Sequence, residues 1–401
     1  MKTARLVESL PTSYIREILQ AATAADCLSL AGGLPDPKYF PLDATAEALQ
    51  AVADSPAVHG HLFQYASTRG YQPLIDHLQM QLSVGAGHEV LMTNGSQQGI
   101  DLAVRTYLNQ GDEVALEVPA YLGALQVFAL AGVRLRPIPQ LPNGPDLEAL
   151  RKVFETGRCK MFYTVPDFHN PTGCCWSLEV RTEVARLCRK HGVLLLEDAP
   201  YRDIRFHGES LPLVSDFCSD VAIVLNSFSK TAMPGLRLGA VVAGKKLLAP
   251  MLRVKQAVDL HTNTLGQFLL AEFLVKGNYV AHIANLCRNY HAKYEALHAA
   301  LELHTAEFGF HRPVQGGMFI WFVLHELDAT LVAQRCLERG LAVVPGGGVF
   351  PAGEKLSINA LRLNFSYLAI SQLEEAAARL AAVLRELSAC IAVGGRYSGV
   401  R

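Results

Sequence analysis

The chain has 401 residues, half of them hydrophobic and 18% charged, which supports a large packed core in more than one domain and excludes a disordered polymer. Its formal net charge is −1, so no global field draws it to nucleic acid or to an anionic membrane, and any anion site must be built locally. The nine cysteines include no C-x-x-C pair and no His/Cys cluster at metal spacing, and the adjacent Cys174 and Cys175 suit neither a chelate nor a bridge, so reduced thiols and no metal are expected.

The N-terminal MKTARLVESLPTSYIREIL has no apolar signal core, and no uncharged run of membrane-spanning length follows; the expected location is the cytoplasm. Tyr14, Ile15, Ile18 and Leu19 share one face of an amphipathic start. Gly32-Gly33-Leu34-Pro35-Asp36-Pro37 then makes a fixed turn. Gln64-Tyr65 precede a glycine turn at Gly70 and an apolar-periodic helix. The stretch 90–108 reads as a short strand ending at Thr93, an Asn94-Gly95 turn, and a helix with Ser96 as its N-cap. A helix N-terminus offers unpaired N–H groups and a positive dipole end, a phosphate site by backbone physics that any capped helix shares.

Apolar runs at 113–118, 133–138, 160–165, 193–197, 221–225 and 239–243 alternate with helical patterns such as 178–190. That alternation predicts an α/β fold, with a mostly parallel sheet covered by helices on both faces. Ligands in such sheets bind at the carboxyl ends of the strands. Polar residues stand just past four of the runs: Tyr121, Asn170, Asp198 and Lys230. No G-x-G-x-x-G follows the first strands, so a dinucleotide fold has no support. From about residue 250 the pattern turns helical. FIWFVL at 319–324 is a strand, helices follow at 327–339 and 371–391, and LRLNFS lies between them. This tail predicts a second, smaller α+β domain.

The chemistry concentrates in 222–239, AIVLNSFSKTAMPGLRLG. An apolar strand empties into Asn226-Ser227-Phe228-Ser229 and then Lys230, and Arg237 follows a Pro-Gly pair. The hydroxyls and Arg237 suit a phosphate dianion, and Lys230 suits an imine with a carbonyl cofactor. Taken alone, the stretch reads equally well as an exposed strand-end loop. Asp198, in LLLEDAPY, ends a buried strand, where a lone carboxylate is costly; Glu197 competes for the same role. Arg362, inside the apolar ALRLNFS, needs an anionic partner, and its planar guanidinium fits a carboxylate bidentately.

SFSKTAMPGLRLG resembles the cofactor-lysine signature of the fold-type I pyridoxal-phosphate aminotransferases, S-x-S-K, a short spacer, then G-[LF]-R-[LI]-G. The resemblance covers most of the chain and points to the group that acts on 2-aminoadipate, kynurenine, aromatic and branched-chain amino acids. It implies an N-terminal arm (1–40) packed with the small domain, a large cofactor-binding domain (41–285) and a small C-terminal domain (286–401). It implies that Lys230 bonds the cofactor, pyridoxal 5′-phosphate, and shuttles the proton. Asp198, as the second acid of its motif, pairs with the ring nitrogen, and Tyr201 and Asn170 (in HNPTG) hydrogen-bond the phenolic oxygen. Tyr121 stacks on the ring. Ser96, Gln97, Ser227, Ser229 and Arg237 share the phosphate, with Tyr65 reaching across a homodimer interface. Arg362 takes the substrate α-carboxylate beside Asn170, the Gly33 turn closes the pocket, and Arg16 in the arm approaches a distal carboxylate. His169, next to Asn170, is read as structural.

The reaction this implies is a ping-pong transfer of an amino group from an L-amino acid to a 2-oxo acid such as 2-oxoglutarate or pyruvate. A lyase or decarboxylase with the same fold is the first alternative; Arg362 argues against decarboxylation, because it holds the α-carboxylate. A ligand sensor behind a winged helix is the second, and about thirty residues before SLAGGLPDP are few for a DNA-binding domain.

Overall fold

The computed structural model describes residues 2–8, 27–81, 87–276, 279–351 and 358–394. Its strands, in chain order, are β1 (Leu28–Ser29), β2 (His88–Thr93), β3 (Glu113–Val118), β4 (Arg134–Leu141), β5 (Gly144–Pro145), β6 (Cys159–Thr164), β7 (Leu194–Asp198), β8 (Ala222–Ser227), β9 (Gly239–Gly244), β10 (Gly309–His311), β11 (Phe319–Leu324), β12 (Leu341–Ala342), β13 (Val344–Pro345) and β14 (Ala360–Asn364). An eight-stranded sheet runs in the order β2-β9-β8-β7-β6-β3-β4-β5. From β8 to β4 all neighbours are parallel. The expected mostly parallel sheet is therefore present, with two departures: β9 is antiparallel to both β8 and β2, and the short edge strand β5 is antiparallel to β4. The link from β8 to β9 holds only the 3₁₀ turn Pro234–Leu236. A parallel neighbour would need a crossover helix there.

Successive residues of a strand face opposite sides, and here both sides are apolar. Val114, Leu116, Met161, Tyr163, Leu196, Ile223 and Leu225 face one core, which also holds Ile100, Ala103 and Val104 of the helix Ser96–Tyr107. Ala115, Phe162, Leu195 and Ala222 face the other, with Leu150 and Phe154 of the helix Leu147–Glu155 and Val184, Leu187 and Cys188 of the helix Leu178–His191. Both helices are capped by a side chain just before them. Asp146 accepts from the Glu148 and Ala149 N–H groups, and Ser177 accepts from that of Val180.

A second sheet, β10-β11-β14-β13, is antiparallel throughout. β1 pairs in parallel with β12. Leu30 N–H donates to the Ala342 carbonyl at 2.9 Å, and Asn364 N–H donates to the Leu30 carbonyl at 2.8 Å. The strand ahead of the Gly32-Gly33 turn is thus stitched to the C-terminal part of the chain. The long helix Tyr279–Thr305 packs along the last helix, Ile370–Gly394. No described helix is long and apolar enough to cross a membrane, and the nine cysteines are unbridged.

Candidate active site

The parallel strands β3, β6, β7 and β8 end on one edge, and that edge carries the polar residues. Past β8, Lys230 Nζ donates to the Gly33 carbonyl at 2.8 Å. Burial, and then the guanidinium charges of Arg362 and Arg237, pull its pKa down to about 8. At the end of β7, Asp198 is 2% exposed. Burial pushes its pKa up to about 7, against the Tyr163 and Ser96 hydroxyls, which lower it. Tyr163 Oη donates to Asp198 Oδ2 at 3.0 Å, and the buried Asp198 Oδ1 has no hydrogen-bond partner among the described residues. Glu197, the rival acid, accepts from the backbone N–H groups of Val214 (3.0 Å) and Ser215 (2.9 Å) on its own loop. Of the two carboxylates, Asp198 is the one left with an uncommitted buried oxygen.

Past β6, Asn170 Nδ2 donates to Tyr201 Oη at 3.3 Å, and its Oδ1 accepts from Arg362 Nη1 at 3.0 Å. Tyr201 is buried, and burial pushes its phenol well up. Arg362, on β14, also donates to the Ala31 carbonyl at 2.5 Å. It lies over the Phe319 ring at 4.7 Å from the centroid, and among the described residues its buried Nε has no partner. Burial lowers its pKa to about 10, with Tyr201 and Tyr121 opposing. Among the described residues no carboxylate pairs with this cation: its partners there are an amide, a carbonyl and a ring face. Gly33 sits against the same ring, where an added Cβ would come 3.1 Å from the Phe319 Cζ. His169 beside Asn170 is buried, its pKa lowered by burial to about 3, and faces the Thr172 hydroxyl at 3.2 Å.

Past β3, Tyr121 Oη donates to Gln97 Oε1 at 3.2 Å, and Gln97 Nε2 donates to the Gly123 carbonyl at 2.9 Å. The helix Ser96–Tyr107 points its N-terminus at this edge, but Ser96 is not its cap. The cap is Gly95, at φ 82° and ψ 169°, a region essentially reserved for glycine. Ser96 is the first helical residue, which releases its hydroxyl from capping. A Cβ on Gly95 would stand 3.0 Å from Arg237 Nη2; one on Gly239 would meet the Asn226 carbonyl at 2.6 Å and the Gly95 carbonyl carbon at 2.8 Å. Two glycines thereby let the helix start press against Arg237. Arg237 Nη1 lies 3.4 Å from Ser229 Oγ, and Ser227 Oγ accepts from the Ser229 N–H at 3.4 Å.

One expected residue is not brought to this cluster. Tyr65 is 79% exposed, edge-on to His261 with centroids 6.0 Å apart. Arg16 lies outside the described residues. Other residues went unread in the sequence. Tyr163 supports Asp198; its signal was a phenol hydroxyl inside a buried strand, which needs a partner. Asp259 Oδ2 accepts from Asn94 Nδ2 (2.8 Å), Gln98 Nε2 (2.6 Å) and Lys255 Nζ (2.8 Å), bracing the turn before the helix. The Lys255/Asp259 spacing is that of any surface i,i+4 pair, so nothing marked it.

Residues 26–380 match the family model for aminotransferase class I and II. The chain is 36% identical to a 2-aminoadipate transaminase of Thermus thermophilus over 388 residues, 95% of this chain and 96% of the relative. It is 30% identical over 389 residues to aromatic-amino-acid aminotransferase 1 of Thermococcus litoralis, 94% of this chain and 92% of that protein. Among solved structures, it is similar to the alpha-aminoadipate aminotransferase of Thermus thermophilus complexed with N-(5′-phosphopyridoxyl)-L-leucine. That match has a TM-score of 0.89 at 34% identity, covering 97% of this chain and 98% of the other.

Proposed function

The chain belongs to aminotransferase class I and II, an enzyme family of pyridoxal-phosphate-dependent transamination, and from that premise we propose which residues carry the reaction and what it acts on. Asp198 supports the cofactor assignment: a buried carboxyl with one uncommitted oxygen fits a ring N–H donor. When bound, pyridoxal phosphate supplies the electron sink for a carbanion at the substrate's α-carbon.

In our reading, Lys230 Nζ takes and returns the α-proton. The lowered basicity of Lys230 suits that work, since a proton carrier is best tuned near the working pH. Asp198 holds a proton on the ring nitrogen, with Tyr163 fixing its second oxygen. Asn170 and Tyr201 donate to the phenolic oxygen, and Tyr121 covers the ring. Ser96, Gln97, Ser227, Ser229 and Arg237 hold the phosphate, joined by Tyr65 from the second subunit of a homodimer. Leu42, Leu49, Val58 and Phe63, exposed like Tyr65 in the same segment of chain, support such an interface. Arg362 receives the α-carboxylate beside Asn170, below the turn at Gly33. The chain divides into an arm (1–40), a cofactor domain (41–285) and a small domain (286–401), and works in the cytoplasm.

The single observation that carries this reading is Arg362. A buried guanidinium that has no carboxylate and no Nε partner among the described residues, and shares Asn170 with Tyr201, suits a substrate anion. We propose that the donor is 2-aminoadipate or an aromatic or branched-chain amino acid, that the acceptor is 2-oxoglutarate or pyruvate, and that the two half-reactions alternate. The alpha-aminoadipate aminotransferase complex, which carries a leucine adduct, supports a pocket open to both side-chain classes. Arg16 in the arm would then meet the distal carboxylate of acidic substrates. A panel of amino donors against both acceptors tests this. Activity confined to a donor outside these classes, or ammonia release without an acceptor, overturns it.

A further inference from the structure

Away from the active site, the loop after Tyr201 meets the long helix Tyr279–Thr305 and gathers three ligand-type side chains. His291 and Glu295 are one helical turn apart, and His207 comes from the loop. His291 Nε2 lies 3.2 Å from Glu295 Oε1, and His207 Nε2 lies 3.9 Å from the same oxygen. One donor atom from each residue falls within 4.8 Å of the other two. The rings are already held. His291 stacks on Phe206 (5.1 Å, 12°), and His207 stands edge-on to Phe206 (5.4 Å) and to His291 (4.3 Å). Phe206 is itself packed by Tyr294 and Phe365. The His207 N–H donates to the Gln315 carbonyl at 3.0 Å, fixing the loop.

We propose that His207, His291 and Glu295 form a binding site for one divalent cation of the zinc class. Two imidazoles and one carboxylate are a donor set for zinc and its borderline neighbours, whereas magnesium and calcium take oxygen ligands. Bonds of about 2.0–2.2 Å in a tetrahedron separate the donor atoms by roughly 3.3–3.6 Å. The observed 3.2 and 3.9 Å separations from Glu295 bracket that range, and the two imidazole donors lie within 4.8 Å of each other, so side-chain rotation must bring the three together on the ion. His207 and Glu295 are exposed and His291 half-buried, which leaves a fourth position open to water. The neighbouring trio His298, Glu302 and His311 fails the same test. His298 Nδ1 and His311 Nε2 are 2.7 Å apart, hydrogen-bonded to each other and too close to be two ligands of one ion.

The site joins two parts of the molecule that the active site depends on. His207 lies in the loop that carries Tyr201. His291 and Glu295 flank Lys293, whose Nζ holds Asp36 Oδ2 at 2.6 Å, next to the Gly33 turn. A cation bound here ties the loop to the helix, and a ligand that binds only the folded state raises the melting temperature.

The test uses pyridoxal-phosphate-loaded enzyme cleared of metal by a chelator and gel filtration. Zinc chloride is titrated against a chromophoric competitor, and the melting temperature is read with and without zinc. The expected result is that wild type takes up one more tightly held zinc per chain than His291→Ala or His207→Ala. Each variant should bind that ion about ten-fold more weakly or worse and lose the thermal shift. Transamination without metal should be unchanged in both, which reports correct folding; His291→Asn replaces His291→Ala if that variant does not fold. Zinc uptake equal in wild type and both variants overturns the proposal. So does no uptake by wild type, or equal uptake of magnesium.

Discussion

At the scale of single residues, burial moves Asp198 and Lys230 toward their neutral forms from opposite sides of neutrality, to about 7 and about 8. For Asp198 this has a stability consequence in the cofactor-free protein. Its folded-state pKa is above its ordinary 3.8, so between these values the folded state keeps a proton that the unfolded chain has given up. Stability is therefore lost as pH rises from about 4 to about 7, by an amount on the order of a few kcal/mol. Asp198→Asn removes the titration. Cofactor-free Asp198→Asn should be more stable than wild type at pH 7.5, with the difference shrinking toward pH 4, as read by urea unfolding across that range. Once loaded with cofactor, the same variant should lose most of its transamination rate. A stability difference that does not change with pH would show that Asp198 is not the buried, proton-holding acid described here.

At the scale of elements, the strand ends were legible because continuous apolar runs leave few places for a polar residue. Asn170, Asp198 and Lys230 stand out in the sequence for that reason, and so does Tyr121. The connections were less legible. The short link after Lys230 turns β9 antiparallel, and the helix start belongs to Gly95, not Ser96. Both depend on how closely two backbones approach, which no residue pattern displays. Gly95→Ala tests the second point. Its Cβ would combine a forbidden backbone conformation with a contact at 3.0 Å to Arg237. The substitution should cost about 1–3 kcal/mol of stability and weaken cofactor retention, measured by equilibrium dialysis. Retention equal to wild type would mean that Arg237 is free to move away and that the helix start does not need its present position.

At the scale of the whole molecule, the two sheets meet over one set of residues. Lys230 follows β8 of the large sheet, Arg362 belongs to the small one, and the Gly33 turn touches both sides through the Lys230 hydrogen bond and the Phe319 ring. This convergence was legible only through the resemblance, since Arg362 is far from Lys230 in sequence and nothing in either segment points to the other. Tyr65 marks the limit of a single chain: exposed here, it has work to do only if a second copy covers it. Tyr65→Phe should leave the fold intact and weaken cofactor retention by about ten- to a hundred-fold, the worth of one hydrogen bond to a charged group, ~1.5–3 kcal/mol. A fully active monomer, identified by sedimentation at assay concentration, would rule out the cross-subunit role.

The claim on which the rest stands is that Lys230 moves the proton in a transamination at this strand edge. Pyridoxal-phosphate-loaded enzyme mixed with an amino donor, with no 2-oxo acid present, tests it in a single turnover. Wild type should release one equivalent of the donor's 2-oxo acid per chain and then stop. Lys230→Ala, with cofactor retained through the phosphate residues, should release it slower by about 10²–10⁴-fold or more, the usual worth of a positioned acid–base group. Release by Lys230→Ala at the wild-type rate would contradict the account.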